Sequence, residues 1–128
     1  MGAKILLLDD EPAIREMLPL LLGRVGHTII AVSTGDEAIH VYKKHFETGE
    51  KFDLVLLDLT IPQGRGGADI MPDLLAIDTE VVAIIASGND ISPVVKDYAK
   101  FGFAGVLMKP FNRAALLLVI EQYAPHAV

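Results

Sequence analysis

Asp9 and Asp10 close one aliphatic run of the chain and Asp58 closes another, while Ser87, Gly88 and Asn89 follow a third and Lys109 with Pro110 a fourth. Gathered at one point, these residue types have a definite chemistry. Three neighbouring carboxylates repel, and without a counter-cation at least one would take up a proton well above the ordinary aspartate value of about 3.9. A hard divalent cation removes the conflict. Oxygen donors with no His or Cys among them favour Mg²⁺ (or Mn²⁺), held by one or two carboxylates together with waters and phosphate oxygens. Asp10 and Asp58 are the expected direct ligands, with a backbone carbonyl just past Asp58 as a third and Asp9 acting through water. Lys109 adds a fixed positive charge, Ser87 a hydroxyl, and the turn at Ser87, Gly88 and Asn89 its backbone N–H groups. Together they could neutralise the equatorial oxygens of a phosphoryl group. Asp58 is then left as a nucleophile that forms an acyl phosphate.

The elements that must position these groups follow from periodicity. Ile5 to Leu8, Thr28 to Val32, Leu54 to Leu57, Val81 to Ala86 and Gly105 to Met108 read as five short strands, mostly continuous aliphatic runs of the kind buried on both faces. Between them lie helical patterns. Ile14, Met17, Leu18, Leu21, Leu22 and Val25 recur at helical spacing before a stop at Gly26. A polar turn at Ser33 to Asp36 caps a helix ending near Gly49. Asp58 to Gly67 reads as a loop, and Pro72 in a first turn places the next helix's start no earlier than about Ala68. Pro93 to Phe101 and Asn112 to Tyr123 complete the set, stopped by Gly102 and Pro125. Strands alternating with helices predict an α/β fold with a parallel sheet, whose ligands bind beyond the strands' carboxyl ends where strand order reverses. Four of the five strands end in chemistry-bearing residues. The order 2-1-3-4-5 surrounds one site with those four ends and sets the second strand outside it.

Composition narrows the classes. The 128 residues suffice for one domain, 1–128, with no output domain expected. With 17 acidic and 11 basic residues and a net charge of -6, the chain has the wrong sign for direct nucleic-acid binding. It is 52% hydrophobic but only 6% aromatic, so its apolarity is aliphatic and suits a buried sheet. No cysteine is present, which excludes disulfides, thiolate metal sites and cysteine nucleophiles. Apolar runs fall far short of the roughly 20 residues of a membrane span, and the start has no signal-peptide cleavage pattern, so a cytoplasmic protein is expected.

Through Leu8-Asp9-Asp10-Glu11-Pro12, Leu57-Asp58-Leu59-Thr60-Ile61-Pro62, Ala86-Ser87-Gly88 and Lys109-Pro110-Phe111, the chain resembles the receiver domain of two-component response regulators over essentially its whole length. The resemblance implies the flavodoxin-like (βα)5 three-layer sandwich and Asp58 as acceptor from the phosphohistidine of a histidine kinase or phosphotransfer protein. It further implies Mg²⁺ held by Asp10, Asp58 and the Thr60 carbonyl, Ser87 and Lys109 reading the phosphoryl group, and a cis bond before Pro110. Thr60 and Asn89 occupy positions that in the family tune phosphoryl lifetime. The Asp58 to Gly67 stretch is most similar to receivers attached to hybrid sensor kinases. One departure stands out. Many receivers carry Tyr or Phe where this chain has Val106, so the resemblance does not carry over the usual aromatic coupling to an output face.

Taken singly, each motif has a plainer reading. Asp9 and Asp10 before Glu11-Pro12 could cap a helix, Asp58 could be a loop acid, Ser87 a turn former and Lys109 a solvated lysine. Their joint placement at strand ends reverses that. His27, His40, His45 and His126 have no metal spacing, and Met108 and Phe111 read as core. An aspartate-nucleophile phosphatase of the haloacid dehalogenase type would carry a second Asp where Thr60 stands, and an FMN carrier would not tolerate Asp9, Asp10 and Glu11 at its phosphate loop. A phosphorylation-independent interaction module is the remaining alternative. The expected output face runs from Pro93 to Phe101 across Gly105 to Met108 to the last helix, and a phosphorylation-dependent homodimer or a partner protein would use it.

Overall fold

The computed structural model describes residues 2–59, 61, 65–88 and 91–125. Five strands, β1 (Lys4–Leu8), β2 (Thr28–Val32), β3 (Leu54–Asp58), β4 (Ala83–Ser87) and β5 (Gly105–Met108), form one parallel sheet in the order β2-β1-β3-β4-β5. This is the flavodoxin-like arrangement expected from the sequence. Registers such as Leu8↔Leu57, Asp58↔Ala86 and Ser87↔Met108 align the carboxyl ends of β1, β3, β4 and β5.

The strands read as unbroken aliphatic runs because both faces are covered. On one face Leu6, Leu8, Val55, Leu57 and Ile85 pack with residues of α2 (Gly35–Glu47) and α3 (Gly67–Ile77), including Tyr42, Ile70 and Leu74. On the other, Ile5, Leu7, Leu56 and Ile84 meet Leu18 and Leu22 of α1 (Pro12–Gly23) and Leu116 and Ile120 of α5 (Arg113–Tyr123). Successive side chains of a strand alternate between faces, so an apolar run serves two helical layers at once. Among the described residues no helix is long and apolar enough to cross a membrane.

Three local expectations change. Pro72 lies inside α3, which begins at Gly67 rather than at or after Ala68. The Asp69 carboxylate accepts from Gly66 N–H at 3.1 Å, and this cap sets the start. The helix expected over Pro93 to Phe101 is instead a short α4 (Pro93–Lys96) followed by a 3-10 turn (Tyr98–Phe101). Neither piece has a buried residue, so tertiary packing supplies little to hold a longer helix. Met108, read as core, is 38% exposed, because the edge strand β5 has a neighbour on one side alone.

Candidate functional site

The aligned strand ends bring the acids together. Asp9, Asp10 and Asp58 each present a carboxylate oxygen, all within 4.8 Å of one another. Asp9 and Asp58 are buried, as is Ser87, at 1%, 7% and 4% exposure, and among the described residues these are the buried polar and charged side chains. Asp10, half-buried, opens the site toward solvent.

Each group is placed by backbone bonds that the parallel sheet dictates. Asp9 N–H donates to the Val32 carbonyl at 3.2 Å, extending the β1–β2 ladder to the acid itself. Its side chain accepts from Glu11 N–H at 2.9 Å and so closes the turn into α1, while Arg15 Nη1 donates to the Asp9 carbonyl at 2.9 Å. Asp9 does not cap the helix, since Glu11 is the N-cap of α1 and no side chain caps it; the Asp9 carboxylate closes the preceding turn and belongs to the acid cluster. Leu59 N–H donates to the Ala86 carbonyl at 3.0 Å, carrying the β3–β4 ladder one residue past Asp58. Lys109 N–H donates to the Ser87 carbonyl at 2.8 Å, which brings the lysine beside the serine. The Lys109–Pro110 peptide is cis.

Lys109 Nζ lies 3.0 Å from Asp9 Oδ2 and 3.2 Å from Asp58 Oδ2, so the chain itself supplies a counter-cation. Burial alone would lower the lysine's pKa, but the hydrogen bond and charge of Asp9 and the charge of Asp58 outweigh it and hold the ammonium above its ordinary range. Glu11, at 3.9 Å from the same nitrogen, is a further acid that sequence reading did not place here.

The donor set fits a hard divalent ion: three carboxylates converge on one point, with no nitrogen or sulfur ligand among them. Thr60 and Asn89 lie outside the described residues. Gly88 is exposed, and a Cβ built on it meets nothing within 4 Å, so no described neighbour demands glycine there. Val106 is half-buried and pairs in register with Ile85, within the apolar layer rather than among the polar groups. Arg15 escaped sequence reading although its spacing of one helical turn from Glu11 is a usable signal. Beside Lys109 an apolar groove runs between α1 and α5, lined by Ile14, Met17, Leu21, Phe111 and Leu116.

The chain is 30% identical to the chemotaxis protein CheY of Thermotoga maritima over 95% of its own length and 98% of the relative's. It is 28% identical to sporulation initiation phosphotransferase F of Bacillus subtilis, covering 98% of this chain and 96% of that one. The receiver domain of a sensor histidine kinase from Pseudomonas aeruginosa PAO1, solved with a magnesium ion coordinated in its active-site cleft, superposes with a TM-score of 0.83 at 22% identity, over 98% of this chain and 99% of that one. With residues 5–121 matching the response regulator receiver domain, the chain belongs to that family.

Proposed function

We propose that this receiver domain accepts a phosphoryl group on Asp58 from the phosphohistidine of a histidine kinase or phosphotransfer protein, with Mg²⁺ (or Mn²⁺) held by Asp10, Asp58 and the Thr60 carbonyl. The observation that carries the reading is the buried Asp58 carboxylate, set within 4.8 Å of two other acids and 3.2 Å from the Lys109 ammonium. A divalent ion bound there would neutralise the acids and the oxygens of the incoming phosphoryl group. An Asp58 oxygen forms the bond to phosphorus as the phosphorus–nitrogen bond of the donor breaks, and the freed imidazole keeps the electron pair. Lys109 moves its hydrogen bonding from the carboxylates toward the phosphoryl oxygens, and Ser87 and the Gly88 N–H take the remainder. Asp9 holds the turn into α1 and acts on the cation through water. Thr60 and Asn89 tune the attack of water on the acyl phosphate; autodephosphorylation is slow, and the role is signalling rather than turnover.

Residues 1–128 then form a cytoplasmic receiver whose signal leaves through a surface. Tyr98, Phe101, Met108 and Leu118, all exposed, lie on the 3-10 turn, β5 and α5, where a partner or a second copy would dock. The decisive experiment is labelling with acetyl phosphate and Mg²⁺, read by intact mass and base lability. One phosphoryl group is expected on the wild-type chain and none on Asp58→Asn. Equal labelling of the variant overturns the assignment to Asp58, and absence of label on both chains favours the phosphorylation-independent module.

A further inference from the structure

The loop after Asp58 returns to α3 through Arg65, an exposed residue with an unusual number of partners. Its Nη1 lies 3.4 Å from Asp36 Oδ1 in the first turn of α2. Its Nη2 donates to the Asp69 carbonyl at 3.0 Å and to the Asp73 carboxylate, both on α3. The Arg65 backbone is held as closely: a Cβ on Gly35, the first residue of α2, would collide with the Arg65 carbonyl. Two helices, α2 and α3, therefore meet on one side chain.

The next two residues transmit that anchoring toward Asp58. A Cβ on Gly66 would collide with the Leu59 carbonyl and stand 3.4 Å from Ile61 N, so the returning limb presses on the outgoing one backbone to backbone. A Cβ on Gly67 would stand 2.9 Å from Leu57 Cβ and 3.2 Å from the Asp58 carbonyl.

We propose that Arg65 is a positioning residue for the Asp58 site, its guanidinium fork pinning the returning limb to α2 and α3 so that Gly66 and Gly67 hold the backbone at Asp58 and Leu59. The proposal rests on the function read above. It concerns geometry rather than global stability, since exposed ion pairs of this kind contribute little to folding free energy. Arginine suits the task because its planar fork serves several acceptors in fixed directions, which lysine does not.

The test compares Arg65→Gln, Arg65→Lys and Asp73→Asn with wild type in the ¹⁵N-labelled full chain, titrated with Mg²⁺ alone and followed by amide shifts. In Arg65→Gln the metal-free amides of Leu59, Gly66 and Gly67 shift and Mg²⁺ affinity falls about tenfold, the scale of losing a group that orients a ligand. The melting midpoint changes by no more than about 2 °C. Arg65→Lys recovers only part of the affinity, and Asp73→Asn moves the same amides. The proposal is overturned by an unmoved Leu59 amide in Arg65→Gln, by full recovery with lysine, or by an affinity loss that tracks a large fall in melting midpoint. The metal-free Leu59 shift judges Arg65 even if wild type fails to label on Asp58, an outcome that would remove the proposed function instead.

Discussion

The Lys109 ammonium stands 3.2 Å from Asp58, a carboxylate 51 positions away in sequence, and shares itself with Asp9 at 3.0 Å. Parallel pairing of β4 with β3 and β5 makes that meeting unavoidable once Asp58 pairs with Ala86 and Ser87 with Met108. The lysine thus has a structural duty before any phosphoryl group arrives. Lys109→Met leaves Asp9 and Asp58 buried beside each other without that cation, and removing one partner from a buried charged cluster costs about 3 kcal/mol. Urea unfolding in EDTA should show that loss. Adding Mg²⁺ should narrow the gap, because a ligand that binds only the folded state stabilises it by mass action. Coincident wild-type and variant curves in EDTA would contradict the cluster's dependence on Lys109.

Two glycines separate a rigid collision from a yielding one. A Cβ on Gly66 meets the Leu59 carbonyl, part of the backbone beside the site, whereas a Cβ on Gly105 meets the Tyr123 hydroxyl at 2.5 Å, the far end of a half-buried side chain. Both glycines have room for alanine in φ, so the obstacle is steric: Gly66 has φ -82 and Gly105 is not among the positive-φ glycines. Gly66→Ala should cost about 2 kcal/mol or more and move the Leu59 amide, while Gly105→Ala should cost less than about 1 kcal/mol as Tyr123 swings aside. Equal costs in chemical denaturation would mean that the loop yields as readily as the tyrosine.

Much of this was legible before any coordinates, and the reason is the two-sided burial of the sheet. Strands such as Ile5 to Leu8 stand out as aliphatic runs, and the polar residues that end them mark the functional rim. The placement of those ends also constrains strand order, and 2-1-3-4-5 satisfies the requirement that Asp9, Asp58, Ser87 and Lys109 surround one site. What did not follow was the pairing inside the cluster: nothing in spacing says that Lys109 reaches Asp9 as well as Asp58. Arg65 was silent for the same reason, since its partners Asp36 and Asp73 belong to different helices. The break at Asp97 escaped notice because Val94, Val95 and Tyr98 look like a helix face, yet none of the three is buried.

Tyr42 ties α2 to the end of α3 from within the core. Its ring is 2% exposed and stacks on Phe52 at 5.9 Å, and its hydroxyl donates to Asp78 Oδ2 at 2.8 Å. Burial first, and then Asp78, pushes the phenol well above its ordinary value near 10. A raised folded-state pKa contributes stability that is present below pH 10 and lost as pH climbs toward the folded value. Tyr42→Phe should cost about 1 kcal/mol at neutral pH, the worth of one such hydrogen bond, and should flatten the alkaline decline. Denaturation at pH 7 and pH 10.5 checks both parts.

The acid side of the stability profile is set partly by a histidine remote from the site. His27 Nδ1 accepts the Ala3 N–H at 2.9 Å, and Thr28 N–H returns a bond to the Ala3 carbonyl at 2.9 Å, so the imidazole extends the β1–β2 pairing by one link. Burial lowers the His27 pKa below its ordinary 6.5. A proton on Nδ1 would also remove the acceptor that Ala3 uses. With the folded value depressed, the unfolded chain binds the proton first, so this contribution is complete above about pH 6.5 and is lost as pH falls through the folded value. His27→Asn offers an amide oxygen in place of Nδ1 and does not titrate. Between pH 7.5 and pH 5.5 wild type should therefore lose more unfolding free energy than the variant, and parallel declines would show that His27 carries no part of the pH dependence.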